Sequence, residues 1–173
     1  MIVHTGGPAS LVFGELDGSR SERGDRLLAV CQQAGVPAEL VADIRARLWE
    51  KLAFICAQAG MTATTRLPIG EIRSCPPAWA MFRRIVDEVV TLAAAEGIEL
   101  PDDTAERIAA FAQGLVPTGY SSLHDDLMRG GRLELDALHG AVVRRSRRHR
   151  LEAPMSEAVY ALLAPYAEGG AVR

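Results

Sequence analysis

Pro76-Pro77-Ala78-Trp79-Ala80-Met81-Phe82-Arg83-Arg84-Ile85-Val86-Asp87-Glu88-Val89-Val90-Thr91-Leu92-Ala93 reads as a helix from its first residues. Proline fits the first turn, where its missing N–H costs nothing. Trp79, Phe82, Val86, Val89, Val90 and Ala93 recur at spacings of three and four, which places them on one buried stripe. Gly97 then ends the helix. Such a stripe must pack against other helices, and outward from it the chain is helical almost throughout from Ala42 onward.

Towards the N-terminus the periodicity predicts a helix from Asp43 to about Gln58. Gly60 and the threonines at 62, 64 and 65 predict a break, and Leu67 to Ile72 a short helix. Towards the C-terminus, Asp102-Asp103-Thr104 opens a helix carrying Ile108, Phe111 and Leu115. Gly114 and Pro117-Thr118-Gly119 force a loop. Ser121 or Ser122 caps a short helix through Leu127, with Asp125 in the capping-box position if Ser122 is the cap. Further helices are expected from Leu133 to about Arg148 and from Pro154 to Glu168, the last with Met155, Val159, Leu162 and Leu163 inward.

The first forty residues differ. Met1 to Thr5 and Ser10 to Glu15 are short β-rich runs separated by the turn signal Gly6-Gly7-Pro8. Asp17-Gly18-Ser19 is a second turn. Ser21 or Asp25 then caps a helix through Leu27, Leu28, Val30 and Cys31 that ends at Gly35. Pro37 disfavours helix for Val36, so Val36 to Val41 is expected to be extended. Strand, strand, helix, strand is the tail of an α/β sheet, and such a remnant cannot bury both faces alone. Its unpaired edge predicts self-association and a homo-oligomer.

Composition narrows the function classes. The chain has 173 residues, 49% of them apolar, and only 5% aromatic, so the core is built mainly from Ala, Leu, Val and Ile. The net charge is −3, from 19 basic and 22 acidic residues, which gives no global reason to expect nucleic acid. Cys31, Cys56 and Cys75 form no CxxC and read as small buried hydrophobes in a reducing cytosol. The start, Met1-Ile2-Val3-His4-Thr5-Gly6-Gly7, shows neither the basic nor the apolar part of an export signal. Leu52 to Ala63, interrupted by Gln58, is too short to span a bilayer. A cytoplasmic protein with no membrane partner is expected.

Landmarks of a known family run along the chain: Gly14-Glu15-Leu16-Asp17-Gly18, Leu48-Trp49-Glu50-Lys51-Leu52, Thr62-Ala63, Ser121-Ser122-Leu123-His124-Asp125-Asp126, Glu134-Leu135-Asp136-Ala137-Leu138-His139-Gly140, and Pro154 opening the last helix. In order and spacing they resemble the C-terminal part of the ketopantoate reductases (2-dehydropantoate 2-reductases), from about residue 2 to residue 168. The resemblance implies a mainly α fold: a helical bundle like the C-terminal domain of 6-phosphogluconate dehydrogenase, preceded by a small β-rich remnant of a Rossmann sheet. Residues 1–41 would be the end of a dinucleotide-binding domain and 42–173 the helical substrate-binding and catalytic domain. The family is longer and binds NADPH through a GxGxxG turn. No GxGxxG occurs here, so no cofactor-binding residue is assigned, and the chain alone is not expected to turn over.

The family reaction carries hydride from NADPH to the ketone of a 2-keto acid. By resemblance, Lys51 is the general acid that protonates the ketone oxygen and stabilises the developing alkoxide. Glu134 matches the acidic residue at the substrate pocket, and Ser122 a serine that bonds the substrate carboxylate. Taken without the resemblance, Lys51 is a solvated lysine with a buried stem, Glu134 an ordinary helix-dipole partner, and Ser122 an N-cap. Four and eight residues after the lysine the family carries asparagines; here these positions are Ile55 and Ala59. Three residues before Ser122 it often has another; here it is Gly119. These replacements predict weak recognition of 2-dehydropantoate and a more apolar substrate. They also keep open a second reading, a non-catalytic helical module for oligomerisation or binding. His124, Asp125, Asp126 and His139 show no metal-ligand spacing. The run Arg144-Arg145-Ser146-Arg147-Arg148-His149-Arg150 reads as a solvated helix end rather than a nucleic-acid site.

Overall fold

The computed structural model describes residues 10–170. The chain falls into two compact units, Met1–Leu48 and Trp49–Arg173. In the first, β1 (Leu11–Phe13), α1 (Glu22–Gln33) and β2 (Ala38–Leu40) make a strand–helix–strand crossover. The strands are parallel, with Leu11 opposite Ala38, Val12 opposite Glu39 and Phe13 opposite Leu40. Parallel pairing requires a crossover, and α1 supplies it. Ser21 is the N-cap of α1, accepting from the Gly24 N–H at 3.1 Å. Asp25, the alternative cap, instead pairs with Arg20 at 2.8 Å. Arg23 and the Ser21 hydroxyl both bond Glu15 and hold its carboxyl down to about 2. Leu11, Val12, Leu27 and Val30 are exposed. The strand expected over Met1 to Thr5 lies outside the described residues.

The second unit is helical. Its elements are α2 (Ile44–Thr65, which begins in the first unit), α3 (Ile69–Ser74), α4 (Pro76–Ala95), α5 (Thr104–Gln113), α6 (Ser122–Met128), α7 (His139–Arg148) and α8 (Pro154–Leu163). Short 3-10 turns cover Glu134–Asp136 and Ala164–Tyr166. As its stripe requires, α4 is central and packs against α3, α5, α7 and α8. Phe82, Ile85, Val86, Val89 and Leu92 on it are fully buried, each worth roughly 1.5–3 kcal/mol of transfer free energy. Trp79 is only half-buried and stacks on Phe82 with ring centroids 4.7 Å apart.

The break expected after Gln58 does not occur: α2 runs on through Gly60 to Thr65. The threonine hydroxyls donate to carbonyls one turn back, Thr62 to Gln58 at 2.8 Å, Thr64 to Gly60 at 2.6 Å and Thr65 to Met61 at 2.6 Å. They are satisfied inside the helix and do not compete with it. Gly60 is a packing glycine, since a Cβ there would lie 2.6 Å from His139 Nε2.

The helix expected from Leu133 to Arg148 is divided. Arg144 Nη2 donates to the Asp136 carbonyl at 3.0 Å, the acceptor that a continuous helix would offer to Gly140. Arg144 Nη1 and the Tyr160 hydroxyl hold the Asp136 carboxylate at 2.6 and 3.2 Å. Glu134 therefore sits on a 3-10 turn, and α7 starts at His139. α8 stops at Leu163, short of Glu168, because Pro165 has no N–H to continue it. Leu162, expected inward, is exposed, whereas Ser156, Val159 and Leu163 are buried. Phe111 is likewise half-exposed, its ring edge on Phe54 with centroids 5.0 Å apart.

Two side chains close helix ends at long range. The α8 N-cap residue, Ala153, has no polar side-chain atom to cap with. Glu88 on α4 does so instead, accepting from the Met155 N–H (2.6 Å), the Ser156 N–H (2.9 Å) and the Ser156 hydroxyl (2.7 Å). Arg73 on α3 donates to the carbonyls of Ala112, Gln113 and Leu115 at the end of α5. The loop that follows is pinned to α3 by Ile69 N–H to Gly119 O and Gly70 N–H to Pro117 O, both 2.9 Å. A Cβ on Gly70 would come within 2.7 Å of the Pro117 carbonyl oxygen, so this close approach requires glycine.

Candidate functional site

The pinned loop delivers Tyr120, Ser121 and Ser122 to the side of α2. The cap of α6 is Ser121, not Ser122: its oxygen accepts from the His124 N–H at 3.1 Å. Ser121 Oγ also lies 2.7 Å from Thr62 Oγ1, which bonds the Gln58 carbonyl. Each hydroxyl has one proton, so the order is fixed: His124 N–H to Ser121, Ser121 O–H to Thr62, Thr62 O–H to Gln58 O. This relay ties the start of α6 to α2 and uses up Ser121. Ser122, the first residue of α6, is exposed, and its hydroxyl has no partner among the described residues.

Between these elements lies a cavity of about 310 Å³, lined by Ile55, Gln58 and Ala59 of α2, Tyr120 to Leu123 and Asp126, and Glu134 and Leu138. The volume is at the small end of ligand sites. Ile55, Ala59, Leu123 and Leu138 give it an apolar floor. Gln58, Ser122, Asp126 and Glu134 give it polar groups. Asp126 is engaged by Arg129 at 2.7 Å. Glu134 is exposed, and its carboxylate makes no hydrogen bond or ion pair among the described residues.

Two of the three expected site residues, Ser122 and Glu134, thus share one cavity. Lys51 is exposed and is not among the lining residues. It lies four and eight residues before Ile55 and Ala59, on the face of α2 whose next two turns make the floor. No hydrogen bond or ion pair joins Lys51 to Glu134 among the described residues. The sequence reading missed Gln58, Tyr120 and Asp126 as lining residues. Gln58 was legible, seven residues after Lys51 and three after Ile55, but ending the helix there hid its continuation to Thr62.

The other constellations have structural partners. The His124 ring stacks on Tyr120 with centroids 4.0 Å apart and lies 3.0 Å from Asp125. His139 is fully buried, and its Nε2–H donates to the Cys56 carbonyl at 3.0 Å. Its Nδ1 has no partner among the described residues. Burial pulls the imidazole down to about 4 and pushes the Cys56 thiol up to about 12. Among the described residues no three His, Cys, Asp or Glu side chains are grouped to hold a metal, and no helix is long and apolar enough to cross a membrane. The arginine run is largely compensated: Arg144 pairs with Asp136, Arg145 with Glu96, and Arg147 with Glu157.

The family profile described as "Ketopantoate reductase PanE/ApbA C terminal" matches residues 43–167. The chain belongs to the ketopantoate reductase family. An uncharacterized oxidoreductase of Bacillus subtilis, YkpB, is 33% identical over 95% of this chain and 54% of its own length. A 2-dehydropantoate 2-reductase of Halobacterium salinarum is 30% identical over 90% of this chain and 50% of its own. Among solved structures, the PanE/ApbA family ketopantoate reductase of Ralstonia eutropha JMP134 superposes with a TM-score of 0.82. It is 34% identical, over 93% of this chain and 52% of that one. The chain spans about half the length of the curated relatives it matches.

Proposed function

We propose that this ketopantoate reductase-family chain is the substrate-binding and catalytic part of an NADPH-dependent oxidoreductase that reduces the ketone of a 2-keto acid. The observation that carries this reading is the shared cavity of Ser122 and Glu134 beside the α2 face that bears Lys51. The chain's own residues do not fit the nicotinamide cofactor: it has no GxGxxG turn to cradle a pyrophosphate. The cofactor, which supplies the hydride, would be held by residues outside this chain.

What these residues do follows from their chemistry. Ser122 donates a hydrogen bond through its hydroxyl to the substrate carboxylate. Ile55, Ala59, Leu123 and Leu138 pack an apolar branch of the acid. The ketone oxygen gains charge as the carbonyl carbon is reduced, and Lys51 neutralises it by giving up one ammonium proton. Its four-carbon stem lets the amine swing over the cavity from the turn of α2 before Ile55. Glu134 accepts a hydrogen bond from that ammonium and orients it.

The test is a fusion of this chain behind the nucleotide-binding segment of a ketopantoate reductase, assayed for NADPH consumption with 2-dehydropantoate and other 2-keto acids. Lys51→Ala should lower kcat by about 10²–10⁴-fold. A fusion whose Lys51→Ala form keeps full activity would remove the assigned proton donor. NADPH titrated into this chain alone should show no saturable binding. The second reading, a non-catalytic helical binding module, draws support from Ile55, Ala59 and Gly119; it gains if no fusion turns over any keto acid.

A further inference from the structure

We propose that Gln58 selects the substrate of this cavity, and that it does so by reading a hydroxyl, or another neutral hydrogen-bonding group, on the apolar branch of the 2-keto acid. The proposal rests on the 2-keto acid reading above and names the group that discriminates between such acids.

Ser121 is consumed by the relay to Thr62, and Asp126 by Arg129. The Tyr120 ring lies flat on His124, with its hydroxyl uncommitted among the described residues. Tyr120, Ser122, Glu134 and Gln58 therefore remain without side-chain hydrogen-bond partners among the described residues. Ser122 is the donor suited to a carboxylate. Glu134 accepts only. The Tyr120 and Ser122 hydroxyls each have one proton, whereas Gln58 offers two N–H donors and a carbonyl acceptor, and it does so from α2 between Ile55 and Ala59, where the apolar branch packs.

Its place in the fold supports this use. Cys56, Ala57, Ala59 and Gly60 around it are buried, and Gln58 is the one polar side chain in that stretch of α2. It is half-buried and faces the cavity between Ile55 and Ala59. Its amide has no protein partner among the described residues and opens on the cavity, so it is available to bond a ligand there. Isoleucine and alanine at positions 55 and 59 led to the expectation of a more apolar substrate. The structure returns an amide to the same wall one residue before Ala59. The apolar floor then takes the branch, and the amide takes the polar group that the branch carries.

Two acids separate the possibilities. 2-Dehydropantoate and trimethylpyruvate share the 2-keto acid and the branched carbon, and differ by one hydroxyl. Each is titrated at millimolar concentration into the ¹⁵N-labelled full chain and followed by NMR. Both should move the Ser122 and Leu123 backbone amides, and only 2-dehydropantoate should move the Gln58 side-chain NH₂ pair. Gln58→Leu should weaken 2-dehydropantoate by about fivefold to tenfold and leave trimethylpyruvate unchanged. Gln58→Met, an unbranched replacement of similar volume, should repeat the result and stands in if the leucine variant does not fold. If the substitutions weaken both acids alike, or neither, Gln58 is not the selector while the keto-acid reading stands. If neither acid moves any cavity resonance of the unmodified chain, the keto-acid reading falls and the proposal with it.

Discussion

Acidifying this protein from about pH 7 to pH 4 should remove about 3 kcal/mol of stability through one side chain, His139. The ring is fully buried, donates through Nε2 to the Cys56 carbonyl, and has an Nδ1 with no partner among the described residues. Protonation would place a charge and a second N–H donor where nothing accepts it. The imidazole titrates near 6.5 when exposed and at about 4 here, because burial disfavours the cation. At about 1.4 kcal/mol for each pH unit between these values, the difference is about 3 kcal/mol. The folded-state value is the lower one, so the unfolded chain binds more protons between pH 4 and 6.5. The contribution is complete above pH 6.5, is lost progressively as pH falls, and stops changing below about 4. Urea denaturation across this range measures it, with His139→Gln as the reference, since glutamine keeps an N–H for Cys56 but does not titrate. The difference between the two proteins should shift by about 3 kcal/mol. Parallel stability curves would refute the argument.

Gly60→Ala should destabilise by about 1–3 kcal/mol in the same assay, because its Cβ would meet His139 Nε2 at 2.6 Å; an unchanged midpoint would mean the ring can move aside. Glu88→Ala leaves the Met155 and Ser156 N–H groups and the Ser156 hydroxyl without their carboxylate, and should cost about 2–4 kcal/mol. Urea midpoints equal to those of the unmodified protein would contradict this cap. Iodoacetamide on the native protein should alkylate the exposed Cys75 and spare Cys56, which is fully buried with its thiol pushed up to about 12. Mass mapping that finds Cys56 labelled as fast as Cys75 would show that α2 opens.

Much of the helical order was legible because the stripe on α4 and the prolines that open α4 and α8 act locally. What could not be read depended on partners far along the chain. Gly60 looked like a helix breaker because the ring that requires its missing side chain, His139, is 79 positions away. The threonines looked like loop residues because nothing local shows a hydroxyl bonding back one turn. Asp136 looked helical because Arg144 and Tyr160, which take up its carbonyl and carboxylate, act from other turns. At the cavity, Ser122 and Glu134 were found through family resemblance. Gln58 lay in plain view as the polar residue that interrupts an apolar run.

The first turn of α8 is closed by a residue that α8 does not own. Glu88 precedes Met155 by 67 positions, so a peptide cut to Pro154–Leu163 would lose its clasp and stay unfolded in water. The clasp exists only where α4 lies beside α8. Exchanging the acid at position 88 alone strands three donors at the mouth of α8.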